Sequence, residues 1–268
     1  FSFSDDNGMS WATGQIFFMP DPIYKFRRPY VKVYSDGKDK IHIVLTDGHP
    51  HREENNSIYY MYYQAGSFYK ANGSKIKSID DLPVLPAEAD LVYDATRGKA
   101  KAWNWDIAQD DKGKPVIAYA RFPNNENHIY CYAKWDGKKW LNYDLINSGG
   151  WFPQTPEGKT EPEPNYSGGM NIDKENPDIF YLSVKRDSVF EIEKWTTRNQ
   201  GRNWSVDPIT KGSAKNNVRP FAVRGAKEGN PIQVLWMQNT KYIHFADAQR
   251  LAELAVPFND RFVTSIKM

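Results

Sequence analysis

Two stretches share one spacing: SDDNGMSW (Ser4–Trp11) and TRNQGRNW (Thr197–Trp204). Each has a hydroxyl residue, an Asp or Asn two places on, a glycine four places on and a tryptophan seven places on. The physics of that pattern is a turn. Asp6 and Asn7 bend the backbone through side-chain hydrogen bonds, and Gly8 enters the left-handed region without a steric cost. Trp11 is large enough to pin the loop to a core. The second copy carries Thr197 for serine and Asn199 for aspartate. Two such corners, each between strand-like runs, point to a repeated β architecture.

Working outward, strand-like runs dominate the chain. They fall at 30–34, 40–46, 57–63 and 67–70; at 103–109, 115–121, 128–135 and 139–145; at 168–173, 179–183, 189–196 and 203–208; and at 219–223, 231–237 and 241–246. Tight turns separate them: SDGKDK, DDKGKP, WDGKKW and KENPD. A short helix is expected only at 248–254. The sets share one logic, and IYYMYYQAGSFYKANG, IYCYAKWDGKKWLNYDL and VFEIEKWTTRNQGRNWSVDPI read as third-to-fourth-strand hairpins of three blades. About four blades follow a half blade at the start. The class is therefore all-β, a β-propeller of four-stranded antiparallel blades. Residues 1–268 form a single propeller domain. The chain starts at Phe1 inside a hairpin, so an N-terminal part of the ring is expected to precede it. Stretches 76–101 and 147–165 are too long for plain connections.

Composition narrows the partners. Aromatics make up 15 % of the chain, which suits sheet packing and sugar stacking alike. A net charge of +2 is too small for nucleic-acid binding, and no apolar run is long enough to span a membrane. The single Cys131 forbids an internal disulfide. No cofactor is called for. Calcium at an Asp-rich turn such as DDKGK, or a structural zinc, stays open, although Pro50 between His49 and His51 argues against zinc. Phosphate loops and a GxSxG motif are missing from the sequence.

At TDGHP, NSIYYMYY, GSFYKANGSKIKS, WDIAQD, GGWFPQTPEGKTEPEPNYSGG and FEIEKWTT the chain resembles the BNR-4 β-propeller proteins along essentially its whole length. That superfamily includes propeller-type ulvan lyases and a group releasing rhamnose linked to glucuronate. The resemblance implies a seven-bladed ring acting on uronate-containing polysaccharide. In the lyases a histidine and a tyrosine move protons while an arginine neutralises the uronate carboxylate. The spacing of the two corners is that of the sialidase Asp box. A sialidase, however, needs an arginine triad and a Tyr/Glu nucleophile pair. Arg28, Arg186 and Arg219 could supply the triad, but no Arg-Ile-Pro motif precedes the first corner.

β-Elimination sets the residue types. The C5 proton of a uronate leaves only when the carboxylate is neutralised, a base reaches C5 and an acid protonates the departing oxygen. His49, in a polar turn after an apolar strand, is the first catalytic candidate. Tyr166 in NYSGG is the second, with Gly168 and Gly169 letting backbone approach a ligand. Arg219 in NNVRPF is the third, since a guanidinium fits a carboxylate in bidentate fashion. Arg52, Arg121, Trp151, Lys185, Arg186 and Asn217 are expected to contact substrate. Asn165 stands where relatives often carry histidine, and Val184 where they carry arginine after Leu-Ser.

The expected activity is a lyase cleaving an ulvan-like acidic glycan. Two alternatives stand beside it. One is a glycoside hydrolase on the same propeller, a rhamnosidase or sialidase-like enzyme using Glu157, Glu161 or Glu163. The other is a carbohydrate-binding propeller without turnover. The expected partner is an acidic polysaccharide or oligosaccharide, the setting secreted or periplasmic, and the molecule a monomer.

Overall fold

The computed structural model describes residues 1–20, 28–50, 52–124, 127–149, 169–239 and the strand at 260–264. Its described strands form four consecutive antiparallel sheets. The first comprises β1 (Val31–Ser35), β2 (Ile41–Thr46), β3 (Ile58–Gln64), β4 (Ser67–Tyr69), β5 (Lys75–Ser78) and β6 (Asp90–Tyr93). The second is β7 (Lys101–Gln109), β8 (Pro115–Asn124), β9 (Asn127–Trp135) and β10 (Trp140–Asn147). The third is β11 (Met170–Ile172), β12 (Ile179–Arg186), β13 (Val189–Thr196) and β14 (Ser205–Pro208). The fourth is β15 (Asn216–Ala222), β16 (Val234–Asn239) and β17 (Asp260–Thr264). The second and third sheets are simple four-stranded meanders, the blade expected from the sequence.

Blade 1 is more elaborate than its sequence suggests. Its third strand pairs β4 along Tyr62–Gln64 and β6 along Ile58–Tyr60, so two short pieces share the outer position. Stretch 76–101, read as a long loop, holds β6, a 3-10 turn at Ile79–Asp81 and one helical turn α1 (Ala95–Gly98), while β5 begins just before it. The expected strand at 241–246 and helix at 248–254 lie outside the described residues; β16 pairs with β17.

The middle strands of blades 2 and 3 are buried on both faces, because each of these blades is covered by a neighbour on either side. That is why VIAYARF and IYCYAKW read as continuous apolar runs without alternation. Three cores result. Val44, Ile58 and Tyr60 of blade 1 meet Ile117, Tyr119 and Cys131 of blade 2. Val116, Ala118 and Tyr132 of blade 2 meet Phe180, Leu182 and Val184 of blade 3. Tyr181 and Ile192 of blade 3 meet Val234 and Trp236 of blade 4.

The first strands of the blades line the inside and are tied by side chains. Asn104 on β7 donates to the carbonyls of Tyr30 (3.1 Å) and Val44 (3.0 Å). Asp106 on β7 accepts from Asn171 Nδ2 (2.7 Å) and Ile172 N (2.9 Å) of blade 3 and pairs with Lys174. Asn171 Oδ1 accepts from Ala222 N on β15 at 2.6 Å.

Both repeated corners adopt one turn. Asn7 and Gly8 have φ of 60° and 87°, and Gln200 and Gly201 have the same pair. Ser4 Oγ and Thr197 Oγ1 each accept the glycine N–H, at 2.8 and 2.9 Å. The tryptophans part company. Trp204 packs on Tyr132, Phe180 and Trp195, as expected. Trp11 does not pin its turn to a core and is 66 % exposed. The physical reason is that residues 1–15 fold back on themselves, Ala12 N to Phe3 O and Gln15 N to Phe1 O at 2.8 Å each, which leaves the tip without a described layer beneath it.

Candidate functional site

In an antiparallel meander the start of the first and third strands and the end of the second share one edge. Here the edges line up. The β2–β3 loop joins the start of β7 through Ala102 N to Asn56 O (2.8 Å) and Asn56 Nδ2 to Ala102 O (2.7 Å). The end of β12 joins the starts of β11 and β15 through Ser183 N to Gly169 O (2.8 Å) and Ser183 Oγ to Asn217 O (2.7 Å). This upper face therefore gathers His49 and Arg52 from the β2–β3 loop, Arg121 from β8, Lys185 and Arg186 from β12, and Asn217 and Arg219 from β15.

The His49 turn is built by its neighbours. Asp47 accepts from Ser57 N (2.7 Å) and Tyr59 Oη (3.0 Å), Gly48 N donates to Asn56 Oδ1 (2.9 Å), and the His49 carbonyl accepts from the amides of Arg52 and Glu53. Burial, with the Asp47 charge beside it, pushes the Tyr59 phenol up, so that hydroxyl stays protonated. The His49 ring is half-buried and lies edge-on to Tyr30 (centroids 5.4 Å apart) and against Trp103 (5.0 Å). Tyr30 meets Trp103 at 4.9 Å, and its backbone is held by Thr46 and Asn104. The ring series continues from Trp103 to Trp105 (5.1 Å, stacked), His128 (6.3 Å) and Phe122 (4.8 Å from His128).

Arg219 has φ of 55°, a left-handed backbone for a side chain that precedes Pro220. It sits in a bulge of β15 between Val218 and Phe221, an irregularity that re-aims a side chain. Arg52 and Lys185 are exposed on the same face.

Three substrate candidates are engaged within the protein. Asn217 is fully buried: its Nδ2 donates to Glu191 (3.2 Å), and its Oδ1 accepts from Trp236 Nε1 (3.0 Å) and Gln238 (3.2 Å). Arg121 pairs with Asp144, donates to Cys131 Sγ at 3.4 Å and lies over the Tyr93 ring. Burial pushes the Cys131 thiol up to about 12, even with Arg121 beside it. Arg186 binds Glu193 in bidentate fashion at 2.7 and 2.9 Å, which raises its pKa further. Tyr166, Trp151 and His51 lie outside the described residues, as do Asn165 and the loop glutamates. Sequence reasoning passed over Tyr30; its signal is the aromatic directly after RRP at the start of an inner strand.

Gly169 does allow a close approach, but the approaching group is a side chain. A Cβ there would lie 1.6 Å from Tyr130 Oη. Among the described residues no group of three or more His, Cys, Asp or Glu could hold a metal ion, and no helix is long and apolar enough to cross a membrane.

Stacked antiparallel blades with polar loops collected on one face define a β-propeller. Within that class the chain belongs to the BNR repeat-containing family, whose model matches residues 4–148, more than half of it. No curated protein matches the sequence. Among solved structures, the fold is similar to a polysaccharide lyase, a PL25 ulvan lyase, bound to -[GlcA(1-4)Rha3S]-, and to a second PL25 ulvan lyase structure. Each comparison gives 16 % identity and a TM-score of 0.62 and covers 90 % of this chain. The chain spans 56 % of the length of those structures. At that identity the likeness is one of fold.

Proposed function

We propose that this propeller acts on a uronate-containing, ulvan-like polysaccharide by β-elimination. The observation that supports it is the shared upper face. It holds His49, fixed in a hydrogen-bonded turn beside Tyr30 and Trp103, and Arg219, turned by a bulge. The PL25 ulvan lyase of similar fold binds a glucuronate–rhamnose oligosaccharide, which supports an acidic glycan as ligand.

In this reading Arg219 neutralises the uronate carboxylate, so that charge building on it as C5 loses its proton is stabilised. His49 and Tyr166 exchange protons with C5 and with the departing glycosidic oxygen. The C5–H and C4–O bonds break, a C4–C5 double bond forms, and the leaving sugar takes a proton. The corners at Ser4 and Thr197 are read as Asp boxes that shape blades and take no part in the chemistry. A polymeric substrate goes with a secreted or periplasmic monomer.

The test is incubation with ulvan and other uronate polysaccharides while ultraviolet absorbance and reducing ends are followed together. A rise in both is expected, and His49→Ala is expected to slow it by about 10²–10⁴-fold, the usual worth of a proton-transfer group. Reducing ends without absorbance would replace the lyase by a hydrolase. One observation favours a second reading, binding without turnover. Val184, where the resemblance puts an arginine, is buried between blades 2 and 3. Binding with neither signal rising would establish that reading.

A further inference from the structure

One hydroxyl couples Tyr30 to the His49 turn. Thr46 Oγ1 accepts from Tyr30 N at 2.9 Å and donates to Gly48 O at 2.8 Å. Tyr30 O accepts in turn from Thr46 N (3.2 Å) and from Asn104 Nδ2 (3.1 Å), so the residue is held from blade 1 and blade 2 at once. Its ring closes a triangle with His49 (5.4 Å) and Trp103 (4.9 Å), which are themselves 5.0 Å apart. Within that frame Trp103 is 5 % exposed and Tyr30 39 %, so a ligand on the upper face reaches the tyrosine directly. Three tyrosines near this face spend their hydroxyls inside the protein: Tyr59 on Asp47, Tyr93 on Ala100 O and Tyr130 on Ser183 O. The Tyr30 hydroxyl has no hydrogen-bond partner among the described residues. A phenol both donates and accepts, which suits it to a sugar oxygen.

We propose that Tyr30 is a substrate-contact residue whose hydroxyl hydrogen-bonds an oxygen of the acidic sugar placed at His49. The assignment rests on the glycan reading above and adds to it a contact from blade 1. Its role is to hold the sugar; proton transfer stays with His49 and Tyr166. Ring and backbone are already fixed, so little ordering is lost when the ligand arrives. A hydroxyl fixed at one point also disfavours an analogue without oxygen there, since the phenol would give up water and regain no partner.

The experiment is calorimetric titration of the chain with size-defined ulvan oligosaccharides, comparing wild type with Tyr30→Phe. Phenylalanine keeps the ring against His49 and Trp103 and deletes only the hydroxyl. The expected results are an affinity about three- to tenfold weaker, the usual worth of one hydrogen bond, and an unchanged urea midpoint. The fluorine signal of 3-fluorotyrosine placed at position 30 alone should shift on titration, which tests the contact even if Tyr30→Phe fails to fold. Wild-type binding together with an unaltered affinity in Tyr30→Phe and an unmoved fluorine signal would overturn this assignment and leave the glycan reading intact. Weaker binding accompanied by a lowered urea midpoint would overturn it as well, since the hydroxyl would then serve the fold. An absence of any oligosaccharide binding to the wild-type chain would overturn both.

Discussion

Gly169→Ala tests how tightly the upper face is assembled. The added Cβ would sit 1.6 Å from Tyr130 Oη, 2.5 Å from Cζ and 3.2 Å from Cε1. The phenol must retreat by roughly 2 Å to regain van der Waals contact. It has nowhere to go. Tyr130 is fully buried, its ring lies edge-on to His128 at 5.1 Å, and its hydroxyl donates to Ser183 O at 3.1 Å. Overpacking costs about 1–3 kcal/mol. Pulling the hydroxyl from its acceptor inside a core costs about 1–3 kcal/mol more. The sum is about 2–6 kcal/mol, read as a lowered urea midpoint with the slope unchanged. Tyr130→Phe removes the closest atom, so a double-mutant cycle should show about 1–2 kcal/mol of coupling. A Gly169→Ala cost below about 1 kcal/mol, or additive single changes, would refute this account of why a glycine stands there.

Two further outcomes are expected. His42 is buried between blades 1 and 2, with Nδ1 at 2.7 Å from Tyr60 Oη and Nε2 at 2.8 Å from Gln109 Oε1. Burial lowers its pKa, against the opposing pull of Gln109 and Asp36, while Lys40 lowers it further. The unfolded chain then binds a proton that the folded chain refuses, so this contribution to stability is whole above about pH 6.5 and is lost as pH falls from there to the depressed folded value. Urea midpoints from pH 5 to 8 should fall on the acid side in the wild type and flatten in His42→Gln; parallel profiles would rule His42 out as the cause. Asn217→Ala should cost about 2–4 kcal/mol in urea unfolding, because Trp236 Nε1 loses its acceptor and Glu191 a donor. A change in glycan affinity with stability untouched would restore Asn217 to the substrate contacts.

The blades were legible because their turns are chemically loud. SDGKDK, DDKGKP and WDGKKW can hardly be anything but corners, and runs such as IYCYAKW are too apolar to lie outside a core. What escaped was short or depended on the fold. DLVY and KIKS are four-residue strands; KIKS has a single apolar position and an irregular register with β4, and DLVY pairs with β3 about thirty residues back along the chain. The placement of His49 and Arg219 on one face was readable from their position at strand ends; their roles belong to the proposal. The internal use of Asn217 was not readable, since an Asn before an apolar strand looks the same whether it meets solvent or Glu191. Trp105 in WNWDI reads as core and packs there, with Val116 and Phe180; the bulge beside it is a property of the ladder.

The inner ties among Asn104, Asp106 and Asn171 carry a consequence for how such a molecule changes over time. No backbone ladder joins one described sheet to the next. Neighbouring blades are pegged together by a few polar side chains deep inside; Asn104 also holds the Tyr30 backbone beside His49, while Asp106 and Asn171 join strands away from the upper-face loops. The pegs at Asp106 and Asn171 can therefore drift independently of the loops. A lineage can exchange the residues that greet a ligand, one blade at a time, without disturbing the joinery, and a single altered peg can loosen a seam while every loop keeps its sequence.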